Sequence, residues 1–451
     1  MSAWRKLDVT VAAVTLALLA ALLFVLWRGD RVSLAVVRTV PAPGSLAAAT
    51  APIVIEFGQR MNTASVEQSF RMEPAVDGRF VWNDNTLYFM PSQPLEVGQR
   101  YTVTLAQGAQ GLIAHELLQD LSFSFEVRPA GVAFLRLARS GYTLWAMPDL
   151  DAQPVQLSPG DAVFDFTVTS DGESLIFSVV NEQSGIDLWI VGRNGGDTRI
   201  LLACGVDRCT GPSERAGRIA YTRVLAPMTP TEPYGPPRVW LLDPQSGATV
   251  RLHADSQKIG FGPHWSPDGQ RLAYFDGGNG RLVVLEMRTG EEVHIPTLAG
   301  VVGSWSPDGE YMLFFDTLLI EGRPVNQIYR ANFTTQDVLP FFDPQPTDAD
   351  YSGPVISPSG EWVALKVRDL ENLASEQLWV LPPDGAYAMV AVQESGYLYS
   401  KHQWRSDSQA LLYHRLQLGT AESDPSLWLW ERSLGASRLL VQDGNQPLWL
   451  P

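Results

Sequence analysis

The chain is poor in cysteine, poor in positive charge and without a recognisable catalytic signature. Its 451 residues hold two cysteines, Cys204 and Cys209, both in the segment CGVDRC. Two cysteines in so long a chain cannot form a disulfide framework. They are a candidate disulfide closing a tight local loop, with free thiols as the alternative. A metal site would need further ligands, and the six histidines lie far off in sequence. Thirty-three Lys and Arg face 49 Asp and Glu, a formal net charge of -16. That balance repels a phosphate backbone and argues against nucleic acid as a partner. No G-x-S-x-G elbow, P-loop or H-E-x-x-H sequence occurs. The six histidines, His115, His253, His264, His294, His402 and His414, are scattered. His264 and His402 both precede a Trp, which suggests equivalent structural positions. No resident metal or cofactor is expected. The acidic stretch DPQPTDAD (343–350) lacks the D-x-D-x-D-G spacing of a calcium loop.

Long apolar runs are also missing, with one exception. Residues 9–27, VTVAAVTLALLAALLFVLW, carry no charge. Nineteen residues rise far enough to match a hydrocarbon core of ~30 Å. Trp4 and Trp27 flank the run, where aromatic belts sit. The reading is a signal-anchor: residues 1–8 a cytoplasmic stub, 9–27 a transmembrane helix, and everything beyond exported. That places the protein at the cell membrane, single-pass, with its bulk extracytoplasmic. A cleaved signal peptide is the rival, with cleavage near Ala35. Its apolar region should be shorter, and the charged stretch Arg28–Arg31 intervenes.

What the chain has in excess is Trp (14), Gly (38) and Pro (32), the mark of many short strands with tight turns. The expected fold is all-β. In residues 36–128, IVIEF (53–57), YTVTL (101–105) and FSFEV (123–127) alternate with period two, and Asn83-Asp84-Asn85 makes a hairpin turn. Six or seven such strands in about 90 residues fit a β-sandwich. The stretches VPAPGSLAAATAPIVIEFGQRMNTASV (40–66) and NTLYFMPSQPLEVGQRYTVTL (85–105), with the closing FSFEV, resemble the bacterial Ig-like domain of the SbsA type. Met61, Pro91, Leu95, Gly98, Tyr101 and Val103 carry the match. The resemblance implies a spacer or adhesive module, with Tyr101 a buried ring.

Residues 131–451 repeat. HWSPDGQRLAYF (264–275) recurs as SWSPDGEYMLFF (304–315) and, more weakly, as VISPSGEWVALK, QWRSDSQALLYH, FTVTSDGESLIF and PSERAGRIAYTR. Each copy is followed by a second strand pair, such as RVWLLDPQSGATVRLH (238–253). A period of 40 to 50 residues with four strands per unit describes a propeller blade. The motif from Pro263 to Phe275 and from Ser304 to Phe315 resembles the TolB-like, WD40-like propeller repeat, which occurs in secretion partners and peptidases alike. Full repeats begin near 163, 211, 262, 302, 353 and 401. The leading fragment 132–158 and the tail QPLWLP (446–451) would together complete a seventh blade and remove exposed sheet edges. Six blades is the alternative.

The first and third turns of each repeat are tight (SPDG, PQSG, RTGE, PPDG). The second turns and the links between repeats are long: 225–237, 317–327, 343–353, 369–376 and 417–425. Alternate turns emerge on opposite faces, so one face is plain and the other elaborated. Elaborated loops on a rigid scaffold are where recognition resides. Glu232, Tyr234, Asp348, Asp350 and Tyr351 are the candidate binding face. The functional expectation is a membrane-anchored, monomeric binding or scaffold protein whose long-loop face takes a protein, peptide or glycan. A hydrolase or lyase acting in the channel is the alternative class.

Overall fold

The computed structural model describes residues 34–451 apart from 113–115, 230, 256, 321, 345, 347, 372–375 and 420–424, together with 11, 14–16 and 18–20. Those last seven are helical. The 9–27 segment otherwise lies outside the described residues, as does His115. Among the described residues, no helix is long and apolar enough to cross a membrane.

Residues 36–127 form two facing four-stranded sheets. One runs Val36–Val40, Ile53–Phe57, Thr86–Pro91, Gly78–Asn83. The other runs Leu46–Ala47, Leu121–Val127, Arg100–Leu105, Phe70–Glu73. Period-two alternation sends Ile53, Ile55, Phe57, Val103, Leu105, Phe123 and Phe125 into one core. Each such buried side chain contributes roughly 1.5–3 kcal/mol. Tyr101 is buried, and its hydroxyl accepts from the Glu96 N–H at 3.1 Å. The short helix Thr63–Ser69 joins the sheets, capped by Asn62 on the Ser65 N–H.

Among the described residues of 131–451, the strands group into seven four-stranded antiparallel units. Units 4 to 7 (261–296, 304–340, 349–393 and 397–441) are separate sheets. Units 1, 2 (163–202) and 3 (208–251) are linked into a wider sheet only through the single pairs Tyr142–Val163 and Ile186–Arg208. Unit 1 joins the two ends of the repeat region. Asn445–Leu450 is its innermost strand, pairing antiparallel with Gly131–Leu137, which continues to Tyr142–Met147 and Val155–Gln156.

The second strand of each unit is apolar on both faces, and its alternation builds two different cores. Phe177 joins the core between units 1 and 2, Ile176 the core between 2 and 3. Phe314 faces unit 4 and Leu313 faces unit 6. Leu411 faces unit 6, while Leu412 packs with Val132, Phe134 and Trp449 of unit 1. The remaining core, Val239 with Trp265, joins units 3 and 4. Every unit thus packs on two neighbours, and the last returns to the first: a β-propeller. Inner-strand tryptophans tie units together. Trp265, Trp404 and Trp449 each donate Nε1–H to a backbone carbonyl of the preceding unit, at Ser213, Val355 and Gln403.

The tight turns are made by their own side chains. In 266–271, Ser266 Oγ donates to Asp268 Oδ1 (2.6 Å) and accepts the Arg271 N–H, while Gly269 takes φ of 69°. Residues 306–311 repeat this bonding. Only a residue tolerant of positive φ closes such a turn without strain.

Candidate recognition face and channel

The two faces of the propeller differ in what lies on them. The tight-turn face carries the Ig-like domain. Val54, Tyr88 and Met90 pack on Ala216 in the first turn of unit 3. Arg79 Nη1 donates to Asp268 Oδ2 in unit 4 at 3.1 Å. Arg128, buried between the domains, gathers four acceptors. It donates to the Leu46 carbonyl of the Ig-like domain, to Gly172 O and Glu173 Oε1 in unit 2, and to Pro451 O in unit 1. Arg193 bonds the same Pro451 and Gly172 carbonyls. The Ig-like domain is therefore docked on the propeller and not merely tethered to it. A spacer reading of this domain misses that contact. Between the domains lies a crevice of about 270 Å³ walled by Arg79, Gln93, Arg215, Asp308 and Gly360.

The opposite face is open. Met228 is 97% exposed in the long loop of unit 3, Leu319 77% in the hairpin of unit 5 and Leu298 81% in the link between units 4 and 5. Glu232 and Tyr234 are exposed there, and Tyr234 lies beneath the Arg208 guanidinium, 4.1 Å from ring centroid to carbon. The sulfurs of Cys204 and Cys209 are bonded, 2.00 Å apart, in the link between units 2 and 3. Asp187 accepts the Cys204 N–H at 2.7 Å, and Asp207 pairs with Arg223 (2.7 Å) and caps the Ala226 N–H. The base of the 225–237 loop is thereby fixed to the disulfide loop.

The second candidate group divides. Asp348 is exposed. Asp350 is committed to the protein: it accepts the Asn326 N–H at 2.7 Å and faces Arg368 at 3.7 Å, pinning the unit 5 hairpin to unit 6. Tyr351 is 5% exposed and packs against Phe342 and Trp379 in the core between units 5 and 6. Burial, with Asp348 nearby, pushes its phenol up to about 12. Tyr351 is therefore a core residue, not a ligand contact. Strand Ala349–Ile356 extends into what the sequence presents as loop, and its alternation turns Tyr351 inward.

The channel is lined by inner strands. A cavity of about 590 Å³ is bounded by Thr167, Gly211, Ser213, Arg215, His264 and Ser304. His264 is not the counterpart of His402. Pairing places His264 opposite Ala273 and Gln403 opposite Leu412, so Gln403 is the equivalent residue. His264 is exposed to the channel cavity although protein surrounds it. Burial, aided by Arg215, lowers its pKa. His402 is buried in the wall, held neutral by burial and by Lys366, its pKa lowered to about 4. The carboxyls near the channel are tied to protein donors. Asp165 accepts from Ser178 Oγ and the Gly211 N–H, and Glu214 from the Ser170 and Gly217 N–H groups. Burial raises both above the ordinary carboxylate range. Among the described residues, no group of His, Cys, Asp and Glu is arranged to hold a metal ion.

A β-sandwich docked on a β-propeller defines the class. Residues 30–127 match the family model of the bacterial Ig-like domain. No curated protein sequence matches the chain. Among solved structures it is similar to a puromycin-hydrolyzing peptidase from Mycobacterium tuberculosis (14% identity, TM-score 0.52, covering 69% of this chain and 53% of that one). It is also similar to Pyrococcus horikoshii acylaminoacyl peptidase (12%, 0.50, 69% and 50%) and to TolB from Acinetobacter baumannii (16%, 0.41, 72% and 83%). The chain covers about half the length of the two peptidases. At these identities the likeness concerns the fold alone.

Proposed function

We propose that the chain is an extracytoplasmic binding or scaffold protein that recognises a protein, peptide or glycan through the long-loop face of a seven-bladed propeller. The carrying observation is the occupancy of the other face: the Ig-like domain lies on the tight turns, which leaves Met228, Glu232, Tyr234 and Leu319 on the free side. Seven units with a shared first unit support seven blades over six. The uncharged run 9–27 supports a single membrane anchor.

A photo-crosslinking residue at Tyr234 and another at Glu361 on the tight-turn side test this in intact cells. The Tyr234 probe gives discrete adducts, and shortening 225–237 and 343–353 to tight turns abolishes them. Adducts that persist after shortening, or that form only at Glu361, contradict the reading. Alkaline carbonate extraction tests the anchor, with release into the soluble fraction as the contrary result. The rival reading, a hydrolase or lyase in the channel, needs a free carboxylate beside His264. Asp165 and Glu214 are instead bonded to protein donors.

A further inference from the structure

The chain enters the Ig-like domain at one end of the sandwich and leaves it at the other. Strand Leu121–Val127 runs out at the propeller, where Arg128 and then strand Gly131–Leu137 follow. Leu34 enters at the far end of the same strands. It is buried, its N–H donates to Glu116 O at 3.5 Å, and the Gly58 N–H donates to Ala35 O at 2.9 Å. Met61 bridges to Gly111, and the Leu112 N–H donates to Arg60 O at 3.0 Å. Three large apolar side chains stand exposed at this end: Val37 (62%), Leu112 (65%) and Leu118 (45%). On the propeller side, Tyr88 and Met90 are buried because the first turn of unit 3 covers them. What covers the far end follows from the length of chain before it. Only six residues, 28–33, separate the uncharged run 9–27 from Leu34. They reach at most roughly 25 Å when fully extended. A run that crosses a bilayer therefore holds this end close to the surface, at an effective concentration on the order of mM. Under such a tether, a patch too small to bind a membrane alone stays seated. Arg60, Glu116 and Asp120, exposed at the same end, are of both signs with acid in excess. That balance suits zwitterionic headgroups and not an anionic surface.

We propose that the far end of the Ig-like domain is a membrane-resting surface, with Val37, Leu112 and Leu118 seated in the interfacial layer of a zwitterionic phospholipid bilayer. The proposal rests on the anchor reading above and adds to it a contact face and an orientation. The tight-turn side of the propeller then lies toward the bilayer with the Ig-like domain between, and the long-loop face with Met228 is the side turned away.

Site-directed fluorescence on the full chain in phosphatidylcholine vesicles tests it. Cys204 and Cys209 are bonded to each other, so a single introduced cysteine takes a polarity-sensitive dye. Val37→Cys and Leu118→Cys report the far end, and Met228→Cys reports the long-loop face. The dye at 37 or 118 emits to the blue of the dye at 228. It also loses at least about half its intensity to lipids brominated high in the acyl chain, whereas the dye at 228 loses none. Leu112→Ser combined with Leu118→Ser cuts the quenching at position 37 at least about twofold. The replaced side chains are exposed, so the fold tolerates these changes. Flotation of the same vesicles keeps the two readings apart. A chain that does not float refutes the anchor, and the proposal with it. A chain that floats with water-like, unquenched emission at 37 and 118 overturns the proposal and leaves the anchor standing. So does equal quenching at 228. A blue shift without lipid quenching that grows with the protein-to-lipid ratio marks a second copy on this end and also overturns the proposal.

Discussion

The two ends of one propeller are built from the same strands and have different surfaces. At the tight-turn end, short Ser-Pro-Asp-Gly loops saturate their own hydrogen bonds and form a flat platform. The Ig-like domain uses that platform, through Tyr88 on Ala216 and Arg79 on Asp268. At the other end, loops of up to thirteen residues stand clear, with Met228, Leu298 and Leu319 exposed. Regular turns suit a permanent intramolecular contact because they offer a rigid surface with little conformational entropy left to lose. Irregular loops suit an exchangeable partner because they vary without disturbing the ring.

That comparison presumes a closed ring, and opening the ring is the severest way to break it. Trp449 fills the core between units 7 and 1. Trp449→Ala should cost about 3–5 kcal/mol in denaturant unfolding of the propeller. A loss below about 1 kcal/mol would show that the closing strand adds little.

Acid should loosen the ring through His402. Its imidazole titrates at about 4 in the folded chain, against about 6.5 when unfolded. Between those values the unfolded chain takes up a proton that the folded chain refuses. The stability from this group is therefore full above pH ~6.5 and falls by on the order of 3 kcal/mol as pH drops towards 4. Denaturation midpoints of wild type and His402→Gln across pH 4 to 7 check this: the variant should show the shallower slope.

On the long-loop side, the Cys204–Cys209 bridge closes a loop of five positions. Replacing both residues with Ser should cost about 2 kcal/mol on the loop-entropy model and raise hydrogen exchange in 225–237. On the tight-turn side, Arg79 is 41% exposed and its pairing with Asp268 is water-screened. Arg79→Ala should change stability by less than about 1 kcal/mol in the same unfolding assay. A larger effect would mean that docking depends on this pair more than on Tyr88.

The repeats, the fold class and the strand that zips the ends were legible in the sequence because they rest on local signals: turn chemistry and alternation. The contact between the Ig-like domain and the propeller was not. Arg128, Gly172, Arg193 and Pro451 meet only after the chain has closed on itself, and nothing local in any of them foretells it. The His264–His402 equivalence failed on alignment: Trp265 and Trp404 occupy matching positions, which puts Gln403 and not His402 in the place of His264. Tyr351 failed because its inner strand carries a register shift, between Ser352 and Val355. An extra residue of this kind reassigns which side chains face a core.

Methionine oxidation tests the division of labour between the faces most directly. Met228 is 97% exposed on the long-loop side, whereas Met90 is 4% exposed at the docked interface. In Gly217→Val the added Cβ would fall 2.1 Å from the Tyr88 hydroxyl, on a backbone at φ of 68°. Under mild peroxide, Met228 should oxidise at the same rate in wild type and variant, and Met90 faster in the variant alone. Rapid oxidation of Met90 in the wild type, or protection of Met228, would contradict an account in which the Ig-like domain holds one face and leaves the other free.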